Sequence, residues 1–179
     1  MKEIVLKNKV FEKYIDQDEI FEIVKNIAER INKSKILNPY FLAVLDGSFV
    51  FASDLVRKIQ IPNSQISFVK LCSYEGTKST GKIKELIGLK EDISQRNIII
   101  IEDIIDTGNT LVEILKTLEK YDISSVSIVS LLLKPDVYNK DINIDFIGKK
   151  IPNNFVIGYG MDFDENGRNL PDIYKLKNN

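Results

Sequence analysis

Three carboxylates, Glu102, Asp103 and Asp106, fall within five positions directly after four consecutive isoleucines at 98–101. Thr107, Gly108, Asn109 and Thr110 follow, and Leu111, Ile114, Leu115 and Leu118 then recur at helical spacing. An isoleucine run without polar alternation fits a strand covered on both faces. A core strand has no use for carboxylates at its end, but such a cluster can accept hydrogen bonds from ligand hydroxyls or hold a hard cation. The turn after it can aim successive backbone N–H groups and the positive end of a helix at a phosphate, with Thr107 and Thr110 adding hydroxyl donors. A capped turn is the plainer explanation of acids and a glycine after a strand. Capping does not require three carboxylates in five positions.

The elements needed to position this segment can be read along the chain. Residues 4–6 form a short strand, and 17–32 read as a helix with Ile20, Ile23, Val24, Ile27 and Ile31 on one face. A buried strand at 41–45 is interrupted by Asp46 and Gly47, and a helix follows over 49–59. Residues 66–71 give a third strand. From 73 to 96 runs a stretch too long for an ordinary connection, read as a mobile lid in which Ile83, Leu86, Ile87 and Leu89 can form a hairpin. After the helix at 111–120, a core strand over 125–133 ends at Lys134, and 145–148 and 155–159 are shorter strands. Residues 162–171 read as a turn-rich tail over a site. Alternating strands and helices predict one α/β domain over 1–179, a central parallel sheet flanked by helices, with a small hood from about 1–15 and 145–179. In such sheets ligands meet the carboxyl ends of strands where the strand order reverses. Asp46 and Gly47, Ser73 and Tyr74, Glu102 and Asp103, and Lys134 all follow predicted strands.

Composition narrows the chemistry. The 179 residues contain no histidine, which removes imidazole acid–base catalysis and His-based triads or zinc sites. A single cysteine, Cys72, excludes an internal disulfide and fits a reducing compartment. The net charge of −1 makes no case for a nucleic-acid binder. The first residues are too polar for a signal-peptide core, and no apolar run approaches the ~20 residues of a membrane span. A cytoplasmic protein is expected. The remaining tools are carboxylates, hydroxyls, Lys, Arg, backbone groups and a hard cation. A phosphorylated sugar suits them, and oxygen donors favour Mg²⁺ over zinc.

Residues 98–111 closely resemble the phosphoribosyl pyrophosphate signature of the type I phosphoribosyltransferases. From about 41 to 170 the match follows the hypoxanthine-guanine pattern: Leu45-Asp46-Gly47-Ser48, Leu71-Cys72-Ser73-Tyr74, Ser79-Thr80-Gly81, the segment from Glu102 to Thr110, Ser130 to Lys134, Phe155 to Tyr159, and Met161-Asp162 with Arg168, all in the family's order. The resemblance implies transfer of a ribosyl 5-phosphate from phosphoribosyl pyrophosphate to N9 of a 6-oxopurine. It assigns Asp106, Thr107, Gly108, Asn109 and Thr110 to the 5-phosphate, and Glu102 and Asp103 to the ribose hydroxyls and, partly through water or substrate, to Mg²⁺. Asp106 is the implied catalytic base toward purine N7. Lys134, Phe155, Val156 and Asp162 are implied purine contacts, Asp162 also lying near a second Mg²⁺. Asp46, Gly47 and Arg168 are implied at the pyrophosphate, and Ser73 and Tyr74 in the lid. A homodimer or homotetramer is implied as well.

Two positions depart from the pattern. Asp46 and Asn109 stand where relatives commonly carry a basic residue, so the Asp46 side chain is expected to point away from the pyrophosphate or to interact through a cation, leaving the peptide to bind. The rival readings are a transferase for xanthine or another base, a regulatory protein that keeps the donor pocket without chemistry, and a response-regulator-like domain with Asp46 as phosphoacceptor.

Overall fold

In the computed structural model, residues 2–75, 82–89 and 92–177 are described; for 72–75 and 82–87 the description covers the backbone alone. Ten strands and three helices run in the order β1 (Glu3–Leu6), β2 (Lys9–Ile15), α1 (Gln17–Asn32), β3 (Pro39–Val44), α2 (Phe49–Val56), β4 (Gln65–Glu75), β5 (Lys82–Ile87), β6 (Asn97–Ile105), α3 (Asn109–Leu118), β7 (Ser125–Leu133), β8 (Phe146–Lys150), β9 (Val156–Ile157) and β10 (Ile173–Leu176) among the described residues. Six of the strands form one sheet in the order β5-β4-β3-β6-β7-β8, parallel except where β5 pairs antiparallel with the outer half of β4.

Side chains of a strand alternate between faces, and here both faces are apolar. Phe41, Ala43, Ile99, Ile101, Val129 and Leu131 pack with α1 and α2 on one side. Tyr40, Leu42, Ile98, Ile100 and Ile128 pack with Leu111, Ile114 and Leu118 of α3 on the other. Covering both faces explains why the isoleucine run needs no polar alternation. It also fixes β3 and β6 at the centre, where the order reverses: the chain goes from β3 outward to β4, then crosses back to β6 on the other side.

The terminal segments build a separate antiparallel sheet, β1-β2-β10-β9, around Phe11, Ile157 and Tyr174. Asp172 ties it to the main body, accepting from the Gln17 backbone N–H at 2.9 Å and pairing with Lys13 at 2.6 Å. Residues 146–150, expected within the hood, instead form the edge strand of the main sheet, because β8 pairs in parallel with β7. The C-terminal share of the hood therefore begins near Val156. Strands β2 and β10 were not legible in the sequence. The β1–β2 hairpin turns through Lys7 and Asn8, both at positive φ, and β10 is four residues long. Helix α2 stops at Val56, short of the expected residue 59, because Lys58 and Ile59 close tighter bonds to the carbonyls of Leu55 and Val56.

Candidate active site

The two acidic strand ends of the sequence reading meet at the sheet's centre. The turn leaving β3 is held by Ser48, fully buried, whose hydroxyl donates to the Val44 carbonyl at 2.6 Å. This turn carries Asp46 and Gly47 over the end of β6, and the Leu45–Asp46 peptide is cis. Gly47 lies so close to the Asp103 carboxylate that a methyl group at Gly47 would collide with it. Only glycine lets the backbone of one loop rest on the acid of the other.

A cleft of about 340 Å³ opens at this point. Asp46, Gly47, Asp103, Asp106, Lys134, Phe155, Val156, Asp162 and Arg168 line it, together with Ile104 and Met161. Nine residues singled out from the sequence, dispersed over more than a hundred positions, are thus brought to one cavity. An adjoining hollow of about 90 Å³ is lined by Glu102, Thr107, Gly108, Asn109 and Thr110, and shares Ile104 and Asp106 with the cleft. Ser73 and Tyr74 lie on β4 opposite Lys84 and Ile83 of β5, so the stretch expected to be a lid contains an antiparallel strand pair. Residues 76–81, including Ser79, Thr80 and Gly81 of the quoted motif, and 90–91 fall outside the described residues.

The small hollow is the N-terminal mouth of α3. Gly108 caps the helix at φ 80°, a left-handed conformation open mainly to glycine, and no side chain caps the first turn. An added methyl there would also stand 2.6 Å from the Tyr138 ring. The uncapped N–H groups of the first turn and the positive end of the helix dipole give the mouth the polarity that suits an anion.

Glu102 and Asp103 do not line the same cavity. Being adjacent in a strand they face opposite ways, and Glu102 lines the hollow while Asp103 lines the cleft. Burial, with the Asp103 charge adding to it, raises the Glu102 pKa well above the carboxylate range. Burial pushes Asp103 up to about 6, against backbone hydrogen bonding and the Arg168 charge, which lower it. Among the described residues no three Asp, Glu or Cys side chains cluster to hold a metal. The donors present are oxygens that would have to share an ion with substrate phosphates and water, which is the usual mode of Mg²⁺.

The remaining site residues are held in pairs. Lys134 Nζ donates to Asp106 Oδ2 at 2.9 Å, the lysine nearly buried and the carboxylate half exposed. Arg168 reaches Asp162 Oδ1 at 2.8 Å with one nitrogen and the Gly160 carbonyl at 2.8 Å with the other. Asp162 Oδ2 accepts from the Glu165 backbone N–H at 2.7 Å. Phe155, 45% exposed at the cleft, is set by ring contacts with Phe11 and, edge to face at 5.8 Å, with Phe163. Asp46 pairs with Lys70 on β4 at 2.5 Å. No sequence signal pointed to Lys70, because its relation to Asp46 arises only from the pairing of β3 with β4.

An open parallel sheet flanked by helices, with a small hood from the terminal segments, is the architecture of the type I phosphoribosyltransferases. The phosphoribosyl transferase domain family matches residues 12–164. The hypoxanthine phosphoribosyltransferase of Buchnera aphidicola is 41% identical over 169 residues, covering 90% of this chain and 93% of that protein. The hypoxanthine-guanine phosphoribosyltransferase of Staphylococcus aureus is 38% identical over 174 residues, covering 96% and 97%. A crystal structure of a hypoxanthine-guanine phosphoribosyltransferase from Bacillus anthracis superposes with a TM-score of 0.81 at 32% identity, covering 95% of this chain and 99% of that one. The chain belongs to the type I phosphoribosyltransferase family, within its hypoxanthine-guanine group.

Proposed function

We infer that the protein transfers the 5-phosphoribosyl group from phosphoribosyl pyrophosphate to N9 of hypoxanthine or guanine, giving IMP or GMP and pyrophosphate, a reaction of purine salvage. The observation that carries this reading is that Asp106 belongs to both cavities: it lines the anion hollow at the mouth of α3 and meets Lys134 in the cleft. One residue thereby joins a phosphate site to a site suited to a heterocycle edge.

In the reaction the bond from sugar C1 to the pyrophosphate oxygen breaks and the bond from C1 to N9 forms, while the purine loses a proton. We assign Asp106 to accept that proton at N7, and Lys134 to donate to O6 on the same edge of the ring. Phe155 stacks on the base, its exposed ring face braced by Phe11 and Phe163. Val156 and Asp162 lie toward position 2. The first turn of α3, with Thr107 and Thr110, holds the 5-phosphate. Asp103 from the cleft and Glu102 from the adjoining hollow engage the ribose hydroxyls where the two cavities meet at Ile104 and Asp106, and the Asp46–Gly47 peptide with Arg168 meets the pyrophosphate. As pyrophosphate departs, negative charge accumulates on it and C1 becomes cation-like, so the Arg168 guanidinium stabilises the leaving group. Mg²⁺ belongs to the same reading: Glu102, Asp103 and Asp162 would hold it in part through substrate or water, and it supplies charge neutralisation on the pyrophosphate. The β4–β5 lid with Ser73 and Tyr74 excludes water from the electrophilic centre.

A cytoplasmic location is part of the proposal, supported by the single cysteine. Among the described residues no helix is long and apolar enough to cross a membrane. A homodimer or homotetramer is proposed as well; exposed Phe21 and Phe49 beside a cavity of about 800 Å³ are apolar surface that assembly would cover. The function is tested by incubating the protein with phosphoribosyl pyrophosphate and Mg²⁺ and with hypoxanthine, guanine, xanthine or adenine separately. IMP and GMP are expected. Donor binding without product from any base would instead identify a sensor.

A further inference from the structure

Four aspartates, Asp46, Asp103, Asp106 and Asp162, line the cleft with two cations, Lys134 and Arg168. Both cations are already engaged, by Asp106 and Asp162. Asp103 and Asp162 are offset where they would share Mg²⁺ with the pyrophosphate, but Asp46, which is assigned no such part, is the acid nearest in sequence to the Gly47 peptide that the pyrophosphate is expected to meet. The Asp46 carboxylate is drawn onto Lys70, whose ammonium lies 2.5 Å from Oδ2.

Lys70 is placed by the topology of β4. Up to Val69 the strand pairs in parallel with β3, and the Leu45 N–H donates to the Val69 carbonyl at 2.7 Å. From Lys70 onward the strand pairs with β5 instead. Lys70 therefore stands where the β4–β5 pair leaves the main sheet, beside the loop that carries Asp46 and Gly47. Both side chains of the pair are about half exposed, a setting in which an ion pair adds little to folding stability. Its consequence is for the charge that an incoming anion encounters.

We propose that Lys70 is a positioning residue for the donor site: it turns the Asp46 carboxylate toward β4 and offsets its charge, so that the Asp46–Gly47 peptide can receive pyrophosphate at a position where an acid would otherwise repel it. The proposal rests on the function inferred above and assigns a role to a residue outside the cleft lining.

Binding of phosphoribosyl pyrophosphate with Mg²⁺, measured by calorimetry on the full chain, tests it independently of turnover. Lys70→Met keeps the aliphatic stem and removes the charge; its donor Kd is expected to rise about tenfold with a melting temperature within a few degrees of the parent. Adding Asp46→Asn to that variant removes the uncompensated acid and is expected to restore the Kd to within about threefold of the parent. An unchanged Kd in Lys70→Met overturns the proposal. A weakened Kd that Asp46→Asn fails to restore also overturns it, since Lys70 would then be touching phosphate itself. If the parent binds donor but the product assay is blank, the inferred reaction fails while the Kd comparison still decides the role of Lys70.

Discussion

Lys134 and Asp106 stand 2.9 Å apart at the seam between two cavities, and the cation is the buried partner. The lysine enters from the end of β7 and the aspartate from the turn after β6, two strands that run parallel and in register through Ile105 and Leu133. The sheet thus sets the spacing between the proposed proton acceptor and the proposed donor to the base.

Asp106→Asn keeps the hydrogen-bonding shape toward Lys134 but cannot take a proton. Turnover with hypoxanthine is expected to fall by about a hundredfold or more, while the calorimetric Kd for the donor changes little. Near-normal turnover would remove Asp106 from the role of base.

Lys134→Ala removes the donor to the base edge and leaves Asp106 without its partner. Steady-state kinetics should show the effect chiefly in the purine KM, with kcat/KM lower by about 10- to 100-fold, the range for losing a charged hydrogen bond. Unchanged purine kinetics would contradict the assignment.

Gly108→Ala places a methyl at φ 80° against the Tyr138 ring. The anion mouth of α3 should distort, and the donor Kd is expected to rise at least about tenfold while the unliganded chain still folds. Gly47→Ala should weaken the donor through a different contact, by displacing the Asp103 carboxylate. Equal donor affinity in either variant would show that the loop is not where phosphate binds.

The raised Asp103 pKa sets a pH dependence. Its folded value of about 6 lies above the ordinary 3.8, so the folded chain binds the proton more tightly than the unfolded chain. The associated stability is present at low pH and is lost as pH rises from about 3.8 through about 6. Melting temperatures of the parent and Asp103→Asn, compared across that window without ligand, should converge at the acidic end and separate in favour of Asn as pH rises. Accepting ribose hydroxyls calls for the ionised acid, so donor affinity in the parent should grow over the same interval. A pH-independent difference would place the proton elsewhere.

Much of this was legible in the chain itself. The isoleucine run, the carboxylates after it, the glycine and the amphipathic helix are local patterns, and local sterics and hydrophobic periodicity suffice to read them as strand, turn and helix. Strand order also pointed to Asp46, Gly47, Asp103 and Lys134 of the cleft, because parallel strands deliver their carboxyl ends to one edge, whereas Phe155, Val156, Asp162 and Arg168 were reached only through the family resemblance. Partnership was decided only by the tertiary structure. That Glu102 and Asp103 diverge into separate cavities, that Arg168 closes on Asp162, that Asp46 turns to Lys70, and that β8 joins the main sheet while β10 completes the hood all depend on which strands lie next to one another. Strand neighbours are chosen by long-range packing of apolar faces, and a few short residues such as those of β10 carry too little periodic signal to announce the choice in advance.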